Sequence, residues 1–147
     1  MTGQGLNSAG ARELVQRGIE GSAYTTAMGT RLRAFGSGAV EIELDLRPDL
    51  TQHHGQAHGA VIGYLADTVS AWAAASVAGD VVTAEYKINF LTAAHGEMLW
   101  ARGEVVRAGR RQVVVRSDVY AHTGGHDTLV ATALATVAPV RTVPEGS

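Results

Sequence analysis

Between His53 and Trp72 the chain reads HHGQAHGAVIGYLADTVSAW, and Asp67 is the single charged side chain from Gly59 to Gly79. An aspartate is a poor helix former and costs free energy to desolvate. An acid placed there must be compensated by a partner or put to use. Three histidines precede it, His53, His54 and His58. His54 and His58 stand four apart, as zinc ligands on a helix do. They fall in a Gly-containing loop without an HExxH pattern, however, and the chain has no cysteine. No metal site, thiolate nucleophile or disulfide is expected. A second chemically capable group lies downstream, where Arg107, Arg110 and Arg111 flank Gly109. Arginine forks hold phosphates bidentately, although an ordinary wet hairpin tip carries the same residues. His95, His122 and His126 fall near turns and are read as solvated.

These residues need elements to position them. The length of 147 residues fits one domain with a single core, and a hydrophobic content of 46% is enough to build it. A net charge of −2 argues against nucleic acid or an anionic membrane as the main partner. The start, MTGQGLNSAGARELVQRG, lacks a basic stretch followed by an apolar one, so no signal peptide is expected. The apolar run Gly59–Gly79 raises the question of a membrane span. A mid-bilayer Asp costs roughly 2.5–3.5 kcal/mol, and neither end of the run carries Lys or Arg. The expectation is a soluble, cytoplasmic protein with a buried helix.

The pattern predicts a short amphipathic helix over Ala11–Gly21, with Leu14, Val15 and Ile19 on one face. AVEIELDLRP alternates strictly, as an antiparallel strand with one wet face does, and Met28–Phe35 is its expected partner. In the helix that follows, Ile62, Leu65, Ala66, Val69 and Ala73 form an apolar stripe. Its other face, with Gly63, Tyr64, Asp67, Ser70, Ala71 and Ala74, is small and mildly polar, which suggests that a second subunit packs there. Four more strands are expected at Val81–Leu91, Glu97–Ala108, Gln112–His122 and Thr128–Ala138, with Gly-containing turns between the later ones. The order makes an α+β domain, one antiparallel sheet wrapped on one long central helix. The expected boundaries are an N-terminal helical segment, 1–22, the main domain, 23–140, and a frayed tail, 141–147.

His58-Gly59-Ala60, with Leu65-Ala66-Asp67 placing an acid nine residues after the histidine, resembles the helix start of the hotdog-fold acyl-CoA thioesterases. The similarity is to the phenylacetate-pathway and 4-hydroxybenzoyl-CoA types. TAEYKINFLTAA (Thr83–Ala94) resembles the central strand of that family, and VVRAGRRQVVV (Val105–Val115) its hairpin near the CoA tail. The resemblance covers roughly Tyr24 to Val140. A second family glycine is Ala60 here, and a proline common after the central strand is absent from LTAAHG.

The resemblance implies a hotdog fold and hydrolysis of an acyl- or aryl-CoA to the carboxylic acid and CoA, with no cofactor. Such hydrolysis needs a nucleophile or activated water and an oxyanion stabiliser. A helix N-terminus offers free N–H groups, and a glycine lets a carbonyl approach the backbone. Gly59 is therefore the expected oxyanion donor, and Asp67 the base or nucleophile. Gln52, fifteen residues before Asp67, would orient substrate or water. His58 either bonds the carbonyl region or caps the helix, and Thr68 is a polar neighbour of the acid. Arg107, Arg110 and Arg111 would meet the CoA phosphates. The resemblance also implies a homodimer or homotetramer with active sites shared between subunits. Tyr64, Trp72 and Trp100 would line an acyl pocket or, by default, pack in the core. Two other functions fit the same residues. A hotdog enoyl-CoA hydratase or dehydratase would pair a His with an acid, and a non-catalytic domain would only bind acyl-CoA.

Overall fold

The strict alternation of Ala39–Asp45 places Val40, Ile42 and Leu44 in the core, each fully buried, and Glu41 and Glu43 on the opposite face. The same logic builds the rest of the sheet in the computed structural model, which describes residues 8–141. Residues 1–7 of the N-terminal segment and 142–147 of the expected tail lie outside the described residues. In chain order the elements are α1 (Ser8–Gly21), α2 (Ala23–Ala27), β1 (Arg31–Gly36), β2 (Ala39–Asp45), α3 (Gly59–Ala78), β3 (Val81–Phe90), β4 (Met98–Ala108), β5 (Val113–Thr123) and β6 (His126–Pro139). The six strands form one antiparallel sheet in the order β1-β2-β4-β5-β6-β3, which wraps around α3. This is the expected hotdog architecture.

The composition of α3 explains its place. Its apolar stripe packs on the inner sheet face, and Leu65, Val69 and Ala73 are fully buried. The helix is long and apolar enough to cross a membrane, but 61% of that stretch is buried inside the domain. The core claims more of α3 than the sequence pattern predicts. Ser70 and Ala74, expected on the second face, are both fully buried. The Ser70 hydroxyl donates to the Ala66 carbonyl at 2.7 Å, so its burial leaves no orphaned donor. Helix and sheet approach closely at Gly103 of β4, where a Cβ would stand 2.7 Å from the Val69 carbonyl oxygen. Gly79, at φ 78°, ends the helix and turns the chain into β3.

Two elements depart from expectation. Helix α1, described over Ser8–Gly21, buries Ala11, Val15 and Ile19, while Leu14 turns towards a cavity. Helix α2 is too short to show a periodic pattern. It is held by a cap at Ser22 and by Thr25, whose hydroxyl donates to the Ile19 carbonyl at 2.6 Å. Trp100 lies outside the buried core. It stands on the outer sheet face, stacked on Tyr120 at 4.3 Å with the Arg33 guanidinium over its ring.

The two sheet edges differ. β1 is six residues long and carries Arg31 and Arg33, the kind of short, charged edge that resists pairing. β3 is ten residues long, pairs among the described residues only with β6, and leaves Val82, Tyr86 and Phe90 exposed.

Candidate active site

The first turn of α3 is satisfied almost completely by one residue. His58 is the N-cap, and its Nδ1 accepts from the Ala60 N–H at 2.9 Å. Its carbonyl accepts from Val61 at 2.9 Å and from Ile62 at 3.4 Å, and its own N–H donates to Leu50. To accept at Nδ1 the ring must be neutral, with its proton on Nε2. The Gly59 N–H makes no hydrogen bond among the described residues, so one donor at the positive end of the helix dipole is free. A Cβ on Gly59 would meet only the Phe90 ring, at 3.6 Å.

Along α3 the inner face of β3 runs past in antiparallel register. Phe90 lies by Gly59, Tyr86 by Gly63 and Thr83 by Asp67. A β-bulge at Ala84 makes this possible, because Thr83 pairs with Val137 while Glu85 pairs with Thr136. The extra residue lets both Thr83 and Tyr86 face the helix. The Thr83 hydroxyl donates to Asp67 Oδ1 at 2.7 Å, which fixes the carboxylate while it remains partly exposed. Asp67 and Thr68 open onto a cavity of about 610 Å³ between α1, α2, α3 and the start of β3. Tyr64 shares a 2.7 Å hydrogen bond with Thr30 and meets Tyr24 edge-on, with ring centres 5.2 Å apart. Burial pushes the Tyr64 phenol above its ordinary pKa, opposed by hydrogen bonds to Thr30 and Thr68.

Asp67, Thr68, Tyr64 and Trp72 are thus brought together. The remaining candidates stand apart from them. The Gln52 side chain is held within its own loop, donating to Gln56 Oε1 at 3.3 Å and accepting from the His54 N–H. Arg107, Arg110 and Arg111 surround a separate cavity of about 390 Å³ at the β4–β5 hairpin. That hairpin lies beyond the C-terminal end of α3, since β4 passes Val69 at Gly103 and the Gly38–Val77 corner at Val105. His53 and His54 pack ring to ring at 4.0 Å in the exposed loop. No group of three metal-capable side chains occurs among the described residues. His122, expected to be solvated, instead shares Asp127 with the Trp100 indole N–H, each contact 2.9 Å long. Thr83 and Tyr24 were not singled out by the sequence. Thr83 depends on the bulge and Tyr24 on α2, and neither feature leaves a periodic signal.

The protomer thus holds a positioned carboxylate beside a mostly apolar cavity and, two turns away at the start of the same helix, a free N–H, groups of the kind acyl transfer uses. Comparison with protein families matches residues 54–127 to the thioesterase superfamily. Comparison with curated proteins finds no match. Among solved structures, a thioesterase family protein from Silicibacter pomeroyi is 31% identical, with a TM-score of 0.85 over 88% of this chain and 97% of that one. A conserved protein from Pseudomonas aeruginosa is 32% identical, with a TM-score of 0.75 over 88% and 99%. The E. coli PaaI protein of the phenylacetic acid degradation operon shares the fold at 20% identity, with a TM-score of 0.81 over 91% and 96%.

Proposed function

The chain belongs to the thioesterase superfamily, and on that premise we propose that it hydrolyses acyl-CoA to a carboxylic acid and CoA in sites shared between two copies. The observation that carries the reading is the Asp67 carboxylate, held by Thr83 beside a mostly apolar cavity, on a helix whose first N–H, at Gly59, is free. The carbonyl oxygen of the thioester accepts from the Gly59 N–H, which stabilises the negative charge that develops there. The Asp67 carboxylate draws a proton from water as the water oxygen bonds to the carbonyl carbon, or attacks that carbon itself. The C–S bond then breaks and the CoA sulfur leaves, taking up the proton that water gives up. Where Asp67 itself attacks, water then hydrolyses the resulting anhydride, releasing the carboxylic acid and freeing Asp67. His58 supports this site as the cap that orients the first turn. With its Nδ1 already engaged, it suits this role better than that of the histidine in a hydratase pair. Thr68 and Gln52 serve the acyl and water positions, and the arginine hairpin the CoA phosphates. The cytoplasm, where CoA thioesters are made, is the proposed compartment.

Distance supports the sharing between copies. Gly59 and Asp67 are eight residues apart on one helix, about 12 Å along its axis at 1.5 Å per residue. A single carbonyl group cannot lie within about 3 Å of both in one protomer. A second copy resolves this if its helix presents Gly59 to the first copy's Asp67. The long edge of β3 beside those residues, with Val82, Tyr86 and Phe90 exposed, is the surface suited to bring the copies together.

Complementation tests the reading. Gly59→Pro and Asp67→Asn should each be inactive alone. In a mixed dimer one site regains both wild-type groups, so refolding the two variants together in equal amounts should return about a quarter of the wild-type rate. No recovery in a mixture shown to contain heterodimers would refute the shared site. Absence of free-thiol release by the wild-type protein from every acyl-CoA tried would refute the hydrolase.

A further inference from the structure

The cavity that begins at Asp67 is closed on its far side by α1 and α2 rather than by the sheet. Its floor on α3 is small, with Ala71 and Ala75 one and two turns beyond Asp67. Its walls carry three aromatic rings, Tyr24 from α2 and Tyr64 and Trp72 from α3, and its lining also includes Arg17 and Asp80. The opposing helix contributes Leu14 and Gly18. Gly18 is a point of close contact with Trp72. A Cβ there would lie 2.1 Å from Trp72 Cη2 and 2.6 Å from Cζ3, so the indole edge rests directly on the α1 backbone. No side chain other than glycine fits without moving either the ring or the helix. The position of α1, the rotamer of Trp72 and the width of the cavity are therefore one linked variable.

We propose that the α1–α2 pair is the acyl-specificity wall of the site, and that Gly18, by seating Trp72, sets the size of the apolar acyl group accepted. A group as small as acetyl ends near Asp67, whereas a longer or ring-bearing group lies along Ala71 and Ala75, against the aromatic rings. An apolar pocket discriminates by about tenfold to two-hundredfold for each methylene gained or lost. A change at this wall should therefore alter selectivity by at least the lower figure.

The inference takes its acyl ligand from the thioesterase reading, so its test has a binding arm and a kinetic arm. The chain has two tryptophans, and Trp100 lies on the outer sheet face. In a Trp100→Phe background the emission reports on Trp72 alone. Hexanamide, a neutral probe that Asp67 does not repel, should change that emission saturably, and Ala71→Leu should abolish the response. In the kinetic arm, the ratio of kcat/KM for hexanoyl-CoA over acetyl-CoA should fall at least about tenfold in Ala71→Leu. It should also change by a similar factor in Gly18→Ala. If Gly18→Ala does not fold, Ala71→Leu decides. Folded variants with the wild-type ratio, or a Trp72 emission indifferent to hexanamide, would overturn the proposal. A saturable response, lost in Ala71→Leu, from a protein that hydrolyses no acyl-CoA would sustain the cavity assignment and refute the hydrolase.

Discussion

Replacing Gly59 with proline removes one hydrogen-bond donor and little else. Gly59 is the first helical residue after the cap, the position at which proline is best tolerated, because the missing N–H has no intrahelical partner. His58 has φ −62° and ψ 138°, the extended backbone that a residue before proline prefers. A Cβ at position 59 would meet the Phe90 ring at 3.6 Å, an ordinary van der Waals contact. The substitution should therefore leave the fold intact, and the stiffer unfolded chain should add about 0.4–1 kcal/mol of stability. Catalysis should suffer, since losing one oxyanion donor lowers kcat by about 10²–10³, or roughly 2.7–4 kcal/mol of transition-state stabilisation. Gly59→Ala is the control, because it keeps the N–H and adds only the methyl group. Initial rates of thiol release, followed with a chromogenic thiol reagent, together with the melting temperature, measure both effects. If Gly59→Pro keeps the wild-type Tm and a kcat within about threefold of wild type, the Gly59 N–H is not the oxyanion donor.

Asp67→Asn retains a carbonyl oxygen for the Thr83 hydroxyl, so stability should change by no more than about 1 kcal/mol. Its kcat should nevertheless fall at least about a hundredfold in the thiol-release assay. Replacing Arg110 and Arg111 together with Ala should raise KM for acyl-CoA and spare a pantetheine thioester that lacks the nucleotide. The difference should shrink as salt is added, and equal effects on the two substrates would assign the arginines to folding. Tyr64→Phe leaves the nearly buried Thr30 hydroxyl without its 2.7 Å partner and should cost about 1–3 kcal/mol in denaturant unfolding. Burial raises the folded-state pKa of Tyr64 above the ordinary 10.0. Its contribution is therefore complete below that pH and is lost as pH rises through the higher folded-state value, a decline that Tyr64→Phe should reduce in unfolding measured across that range.

The sequence made the framework legible wherever a period was unbroken. The alternation of Val40, Ile42 and Leu44 against Glu41 and Glu43 specifies a half-buried strand at any place in a fold, because successive side chains must point to opposite faces. The uncharged run around Asp67 marks a helix with no wet surface to spare, and its glycine and histidine start marks the free end. Where elements meet, the sequence is silent. Ser70 and Ala74 look like an interface face because they are small, and only the curvature of the sheet shows that the core encloses them. Thr83 and Tyr86 are three apart, so a regular strand would send them to opposite faces. The bulge at Ala84, set by pairing with β6 across the chain, turns both towards α3. Trp72 and Trp100 are alike as letters, yet one seats against Gly18 beside the cavity and the other stacks on Tyr120 outside the sheet. Local spacing thus determined which residues share a strand or helix and which acid stands alone. Only tertiary packing decided what holds that acid and what closes the space beside it, since those contacts join residues that no local period relates.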